Sequence, residues 1–149
     1  MKRKIRQIII HCSDSTWGSA AEIRKWHLQR GWSDNGYHFI ISNGRIKPDL
    51  FIESMNGSVE TGRDIEIAGA HAKGDNFDSI GICLIGKDSF THNQYAALYE
   101  LLGNLSEKLN IPFKNIKGHY ETKSGISQGK TCPNFNIGNI RKDMGEIYG

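Results

Sequence analysis

Apolar positions along this chain fall into two patterns: unbroken β-branched runs, and runs that recur every three or four residues. Ile8-Ile9-Ile10, within residues 6–12, belongs to the first and predicts a buried strand. Ser13 to Gly18 reads as loop, and Ser19-Ala20-Ala21-Glu22 has the Ser-x-x-Glu form of a capping box. A helix over about 20–30 follows, with Ile23, Trp26 and Leu28 or Arg30 near one face and its end at Gly31. Tyr37–Ser42 (YHFIIS) is a second strand, closed by the hairpin signal Asn43-Gly44. Short β-type pieces around Leu50-Phe51-Ile52 and over Ser58–Thr61 come next, and the glycine-rich Gly69–Asp75 reads as loop.

Ile80–Ile85 (IGICLI) is apolar on both faces, which predicts a central strand with layers above and below it. Thr91-His92-Asn93-Gln94 is a second capping box. It opens a helix whose Leu98, Leu101, Leu102, Leu105 and Leu109 keep a 3.6-residue period until Asn110 and Pro112 end it. A strand near Lys114–Gly118 leads into His119, and a last helix near 137–147 aligns Ile137, Ile140, Met144 and Ile147. Strands and helices mix without strict alternation or internal repeat. The expectation is an α/β fold: a single domain over 1–149, with a central mixed β-sheet flanked by helices.

Composition narrows the function. Hydrophobic content of 38% and charged content of 23% are those of a globular protein. The net charge of +3 is mild, with no long basic run and no aromatic–basic interleaving, so no nucleic-acid partner is expected. The basic start Met1-Lys2-Arg3-Lys4 precedes too short an apolar stretch for a signal peptide. The expectation is synthesis in the cytoplasm without an export signal, no membrane insertion, and a monomer by default. Three cysteines make no disulfide framework. Cys12 and Cys83 sit in apolar runs and read as core, whereas Cys132 lies in the polar stretch Gly129-Lys130-Thr131-Cys132-Pro133.

His11 follows the first strand's isoleucines and His119 follows the strand near Ile116, so two imidazoles can converge at one edge of the sheet. Cys132 lies beyond a Ser/Gly-rich loop that can fold back toward them. Two His and one Cys at long spacing suit a catalytic zinc with three protein ligands and one open position. A histidine at a strand end also serves as a hydrogen-bonded structural residue, and spacing alone leaves both readings open. Cys12 is set aside as a ligand because adjacent strand residues point to opposite faces.

Several ordered blocks carry more information. They are Ile9-Ile10-His11-Cys12-Ser13, Glu22-Ile23-Arg24-Lys25-Trp26-His27, Gly31-Trp32, and Gly36-Tyr37-His38-Phe39-Ile40-Ile41. Further along come Gly62-Arg63-Asp64, His71-Ala72-Lys73-Gly74, Ser79-Ile80-Gly81-Ile82-Cys83-Leu84, Gly118-His119 and Lys130-Thr131-Cys132-Pro133. Over nearly its whole length the chain resembles the type 2 N-acetylmuramoyl-L-alanine amidases, the superfamily of the peptidoglycan recognition proteins, and most of all the small phage lysozyme-type amidases. The resemblance implies one Zn2+ ion in a surface cleft, held by His11, His119 and Cys132. It implies hydrolysis of the amide between N-acetylmuramic acid and L-alanine in peptidoglycan, an endolysin-like activity. Tyr37 and Lys130 match positions implicated in catalysis in the phage enzymes. His71 matches a cleft position and reads as a substrate contact, with Asn76 a further candidate in the same loop.

Each assignment has a structural rival. Tyr37 can cap the core with its ring, and Lys130 can be a solvated loop residue. His27 and His38 read as structural, and His92 as exposed in a helix's first turn. Two segments are longer than the phage pattern, Asn43–Asn56 and Thr122–Gly129, and both are expected to border the cleft. Two other functions compete with the enzyme. A non-catalytic peptidoglycan-binding module commonly lacks the cysteine ligand, which is retained here. A regulatory protein with structural zinc needs a fourth protein ligand, and none stands out.

Overall fold

The computed structural model describes residues 2–149; Met1 of the basic start lies outside them. A five-stranded mixed sheet runs through its centre in the order β3-β2-β4-β1-β5. The strands are β1 (Gln7–Cys12), β2 (Phe39–Lys47), β3 (Leu50–Thr61), β4 (Ser79–Leu84) and β5 (Ile116–Gly118). β1 is parallel to both β4 and β5, β2 is parallel to β4, and only β3 runs antiparallel, against β2. The helices are α1 (Ala20–Gln29), α2 (His92–Leu109), α3 (Lys123–Ser127) and α4 (Ile137–Tyr148).

Side chains alternate between the faces of a strand, and this decides where the chemistry lies. Ile8 and Ile10 of β1, with Ile80, Ile82 and Leu84 of β4, turn toward α2 and α4. They pack there with Leu98, Leu102, Leu105, Ile137, Ile140 and Met144. Leu98 and Leu102 are fully buried, each contributing about 1.5–3 kcal/mol. On the opposite face Ile40, Cys83 and Ile85 pack against Ile23 of α1. His11, opposite Cys83 in the β1–β4 register, belongs to this second face.

The second capping box forms in full and the first by half, because the Glu22 carboxylate pairs with Lys47 instead of reaching back to the helix start. Ser19 accepts the Glu22 N–H, and Thr91 and Gln94 make a reciprocal capping box. Two helix faces differ in detail. The buried pair of α1 is Ile23 and His27, one turn apart, while Leu28 lies around the cylinder at 39% exposure. In α4 the buried stripe ends at Met144, and Ile147 projects past the core edge at 59% exposure.

The hairpin differs more. Asn43-Gly44 does not close β2; the strand continues to Lys47, and Pro48-Asp49 makes the turn. Proline pre-sets the backbone angle such a turn needs. The β2–β3 register shifts around Asn43, and Gly44 has φ +88°, so Asn43-Gly44 is an irregularity within the ladder. The β-type pieces after Arg45 are accordingly one twelve-residue strand, β3. No described helix is long and apolar enough to cross a membrane.

Candidate metal centre and its cleft

β1 and β5 are parallel neighbours, so their carboxyl ends open on the same sheet edge, where ligand crevices form in open α/β sheets. His11 sits near the end of β1, and His119 is the first residue after β5. Cys132 arrives on the loop between α3 and α4. That loop is tied down twice: Tyr120 N–H donates to the Cys132 carbonyl at 3.0 Å, and Cys12 N–H donates to Cys132 Sγ at 3.0 Å. The ligating atoms of His11, His119 and Cys132 all lie within 4.8 Å of one another. Tetrahedral zinc ligands stand roughly 3.5 Å apart, so a small closure makes this donor set fit the ion. No fourth His, Cys, Asp or Glu joins the group among the described residues.

The electrostatics favour the ligating state of the imidazoles. Burial, then the neighbouring His71 and His119, hold the His11 pKa well below 6.5. Burial and the Lys130 charge lower that of His119. Both rings are therefore neutral at pH 7, the form that binds metal. The hydrogen bond with the Cys12 thiol, together with burial, keeps Cys132 protonated. A coordinated cation reverses that preference.

The group lies in a cleft of about 770 Å³ that is also lined by Tyr37, Lys130, His71 and Asn76. Tyr37 lies two residues before β2. Its ring packs on the Ile23–Ile40–Cys83–Ile85 cluster and stands 5.1 Å from the His11 ring, so the same side chain caps the core and faces the cleft. Burial raises its phenol pKa well above 10. Lys130 is exposed at the rim, with its N–H donating to the Gly125 carbonyl of α3 at 2.8 Å.

His71 and Asn76 are engaged within the protein. Both ring nitrogens of His71 have partners: His11 Nε2 at 2.8 Å and Ser79 Oγ at 3.2 Å. Asn76 Oδ1 accepts the backbone N–H groups of His71 and Ala72 at 2.8 and 2.9 Å. Of the two longer segments, Ser124, Gln128 and Gly129 line the cleft, but no residue of Asn43–Asn56 does. The β2–β3 hairpin hangs from the far side of the sheet, beyond β4, so that expectation is corrected.

A family model described as N-acetylmuramoyl-L-alanine amidase matches residues 1–135. The chain belongs to this family. It falls within the type 2 amidase and peptidoglycan recognition protein superfamily, close to phage endolysins. The amidase chain is 36% identical to the endolysin of Escherichia phage T7 over 139 residues, 87% of this chain and 81% of that one. Amidase LysC from Clostridium intestinale superposes with a TM-score of 0.79 at 27% identity, covering 96% and 87% of the two chains. A variant of Drosophila PGRP-LB in complex with tracheal cytotoxin superposes at 0.69 with 25% identity, covering 89% and 77%.

Other cleft features of the amidase chain were not visible in its sequence. Cys12 is buried, but it borders the cleft beside Cys132 and stays outside both apolar clusters; β1 ends there, and the chain turns away at Asp14 with φ +56°. His27 packs its ring 4.4 Å from Trp32 and 5.6 Å from Tyr37. Its Nδ1 accepts the Gly36 N–H, bracing the segment before Tyr37. The His119 turn is held from behind by Glu121, which accepts a two-pronged hydrogen bond from Arg141 of α4 at 2.8 and 2.9 Å. The short helix α3 falls in a stretch read as loop. Its local signal was Thr122, whose hydroxyl accepts the Gly125 N–H.

Proposed function

We propose that this chain is a zinc-dependent N-acetylmuramoyl-L-alanine amidase, a single domain that hydrolyses the lactyl–L-alanine amide of peptidoglycan as a monomer. The observation that carries the reading is the His11, His119 and Cys132 group in the cleft of a chain from this family. Those three residues would hold the ion. Zinc bound by three protein ligands supplies a Lewis acid that polarises an amide carbonyl and acidifies a water.

The remaining roles fall to this chain's own groups. Tyr37, whose phenol is protonated at neutral pH and is pushed further from ionisation by burial, holds the attacking water or delivers a proton to the leaving amine. Lys130 offers an ammonium to the oxyanion that develops on the former carbonyl oxygen. Trp32 and Arg30 form part of the cleft wall and are available to the stem peptide. The relative solved with tracheal cytotoxin supports a cleft that accepts muropeptides, and the endolysin relative supports a target in the bacterial wall. Nucleic acid and membrane have no part in this reading.

The test is zinc analysis joined to digestion of purified peptidoglycan, read by mass spectrometry. Wild type should carry one zinc and release stem peptides with a free L-alanine amino terminus. Cys132→Ser should do neither while keeping its circular dichroism spectrum. Zinc-loaded wild type that leaves every muramyl–alanine bond intact would sink the proposal.

A further inference from the structure

His71 was expected to meet substrate, yet its ring is committed on both sides, and the direction of each bond can be worked out. Ser79 Oγ lies 2.6 Å from the Asp75 carbonyl, which can only accept, so the single hydroxyl proton of Ser79 points there. Toward His71 Nε2, at 3.2 Å, the hydroxyl must therefore accept, and His71 carries its proton on Nε2. A neutral imidazole has one N–H, so His71 Nδ1 is an acceptor. His11 Nε2, 2.8 Å away, must then be the donor. The one unprotonated nitrogen left on His11 is Nδ1.

The sequence builds a seat for this chain of bonds. Gly81 of β4 lies under the His71 ring, where an added Cβ would stand 2.7 Å from both Cγ and Cδ2. Asn76 Oδ1 accepts the His71 backbone N–H and anchors the segment that carries the ring. The ring can neither flip nor withdraw without breaking bonds at both ends.

We infer that His71 and Ser79 are positioning residues: the path from the Asp75 carbonyl through Ser79 and His71 fixes His11 as its Nε2–H tautomer and turns Nδ1 toward the metal. The inference rests on the zinc reading proposed above and deepens it. Partners that orient a ligating histidine typically govern 10–100-fold in metal affinity.

The experiment measures zinc dissociation constants by chelator competition for wild type, His71→Asn, His71→Leu and Ser79→Ala. Asparagine offers a carbonyl oxygen where Nδ1 stood, and leucine fills the space without an acceptor. His71→Leu should weaken zinc about 10–100-fold, His71→Asn should recover most of that loss, and Ser79→Ala should fall between. A role in packing alone would reverse the order of the two His71 variants and overturn the inference. Imidazole nitrogen NMR on metal-free wild type gives a second reading that needs no variant to fold. It should find the His11 proton on Nε2, and a proton on Nδ1 overturns the relay. Neither readout uses substrate, so failure to cleave peptidoglycan would count against the amidase alone. Wild type that binds no zinc would refute the metal reading and, with it, the positioning role.

Discussion

Three buried histidines should make this fold acid-sensitive well above the range where carboxylates titrate. His27, His38 and His71 each use Nδ1 as an acceptor, from Gly36 N–H, Gly81 N–H and His11 Nε2–H respectively. Protonating that nitrogen would set N–H against N–H inside the core. Burial is the main cause that lowers their pKa values from 6.5, to about 4 for His27 and His38 and about 3 for His71. The sign follows directly. Between pH 6.5 and those values the unfolded chain takes up protons that the folded chain refuses. The stability they contribute is therefore full above 6.5 and is lost as pH falls toward 4. At ~1.4 kcal/mol for each pH unit, His38 alone is worth ~3 kcal/mol. Taken together the three approach the whole stability of an ordinary domain, about 5–15 kcal/mol. Urea unfolding of chelator-treated protein, followed by circular dichroism at pH 7.5, 6.5, 5.5 and 5 (roughly spanning the window), should show a midpoint that falls steeply below 6.5. A midpoint unchanged down to about pH 5 would refute the reasoning. It would mean that the folded chain accommodates these protons.

Tyr37→Phe removes the hydroxyl but keeps the ring on its apolar cluster; amide hydrolysis should drop about 10²–10⁴-fold with zinc content and melting temperature unchanged. Lys130→Ala should lower kcat about 10²–10³-fold while zinc stays bound, and full activity in steady-state assays would return Lys130 to the role of a solvated rim residue. Leu102→Ala, in the core between the sheet and α2, should cost about 2–5 kcal/mol in denaturant titration. It should leave zinc affinity untouched, because Leu102 lies on the opposite sheet face from the cleft.

What the sequence revealed, and what it hid, follows from how local each signal is. Unbroken apolar runs marked β1 and β4 because a strand buried on both faces needs no polar alternation. Leucine periodicity and the Thr91–Gln94 box marked α2 for the same local reason. The hairpin was misread because two turn signals lay five residues apart. Only pairing with β3 decides that Pro48-Asp49 turns while Asn43-Gly44 stays in the ladder. At the site, His11, His119 and Cys132 stood out by family pattern, and the fold does bring them together. The commitment of His71 to His11 and Ser79 was not legible, since it depends on β1–β4 register and on a loop returning over Gly81. Alternation did set Cys12 apart from the ligands, since it pairs with Leu84 where His11 pairs with Cys83; that it nonetheless borders the cleft beside Cys132 depends on the returning loop and was not legible.

The most direct test of the amidase reading is which bond takes up water. Zinc-loaded protein is incubated with purified peptidoglycan in heavy-oxygen water, and the fragments are analysed by tandem mass spectrometry. The expected result is one heavy oxygen in the lactyl carboxylate of muramic acid, with an unlabelled peptide beginning at a free L-alanine amine. Label at a sugar's anomeric carbon, or in a peptide carboxylate, would contradict it.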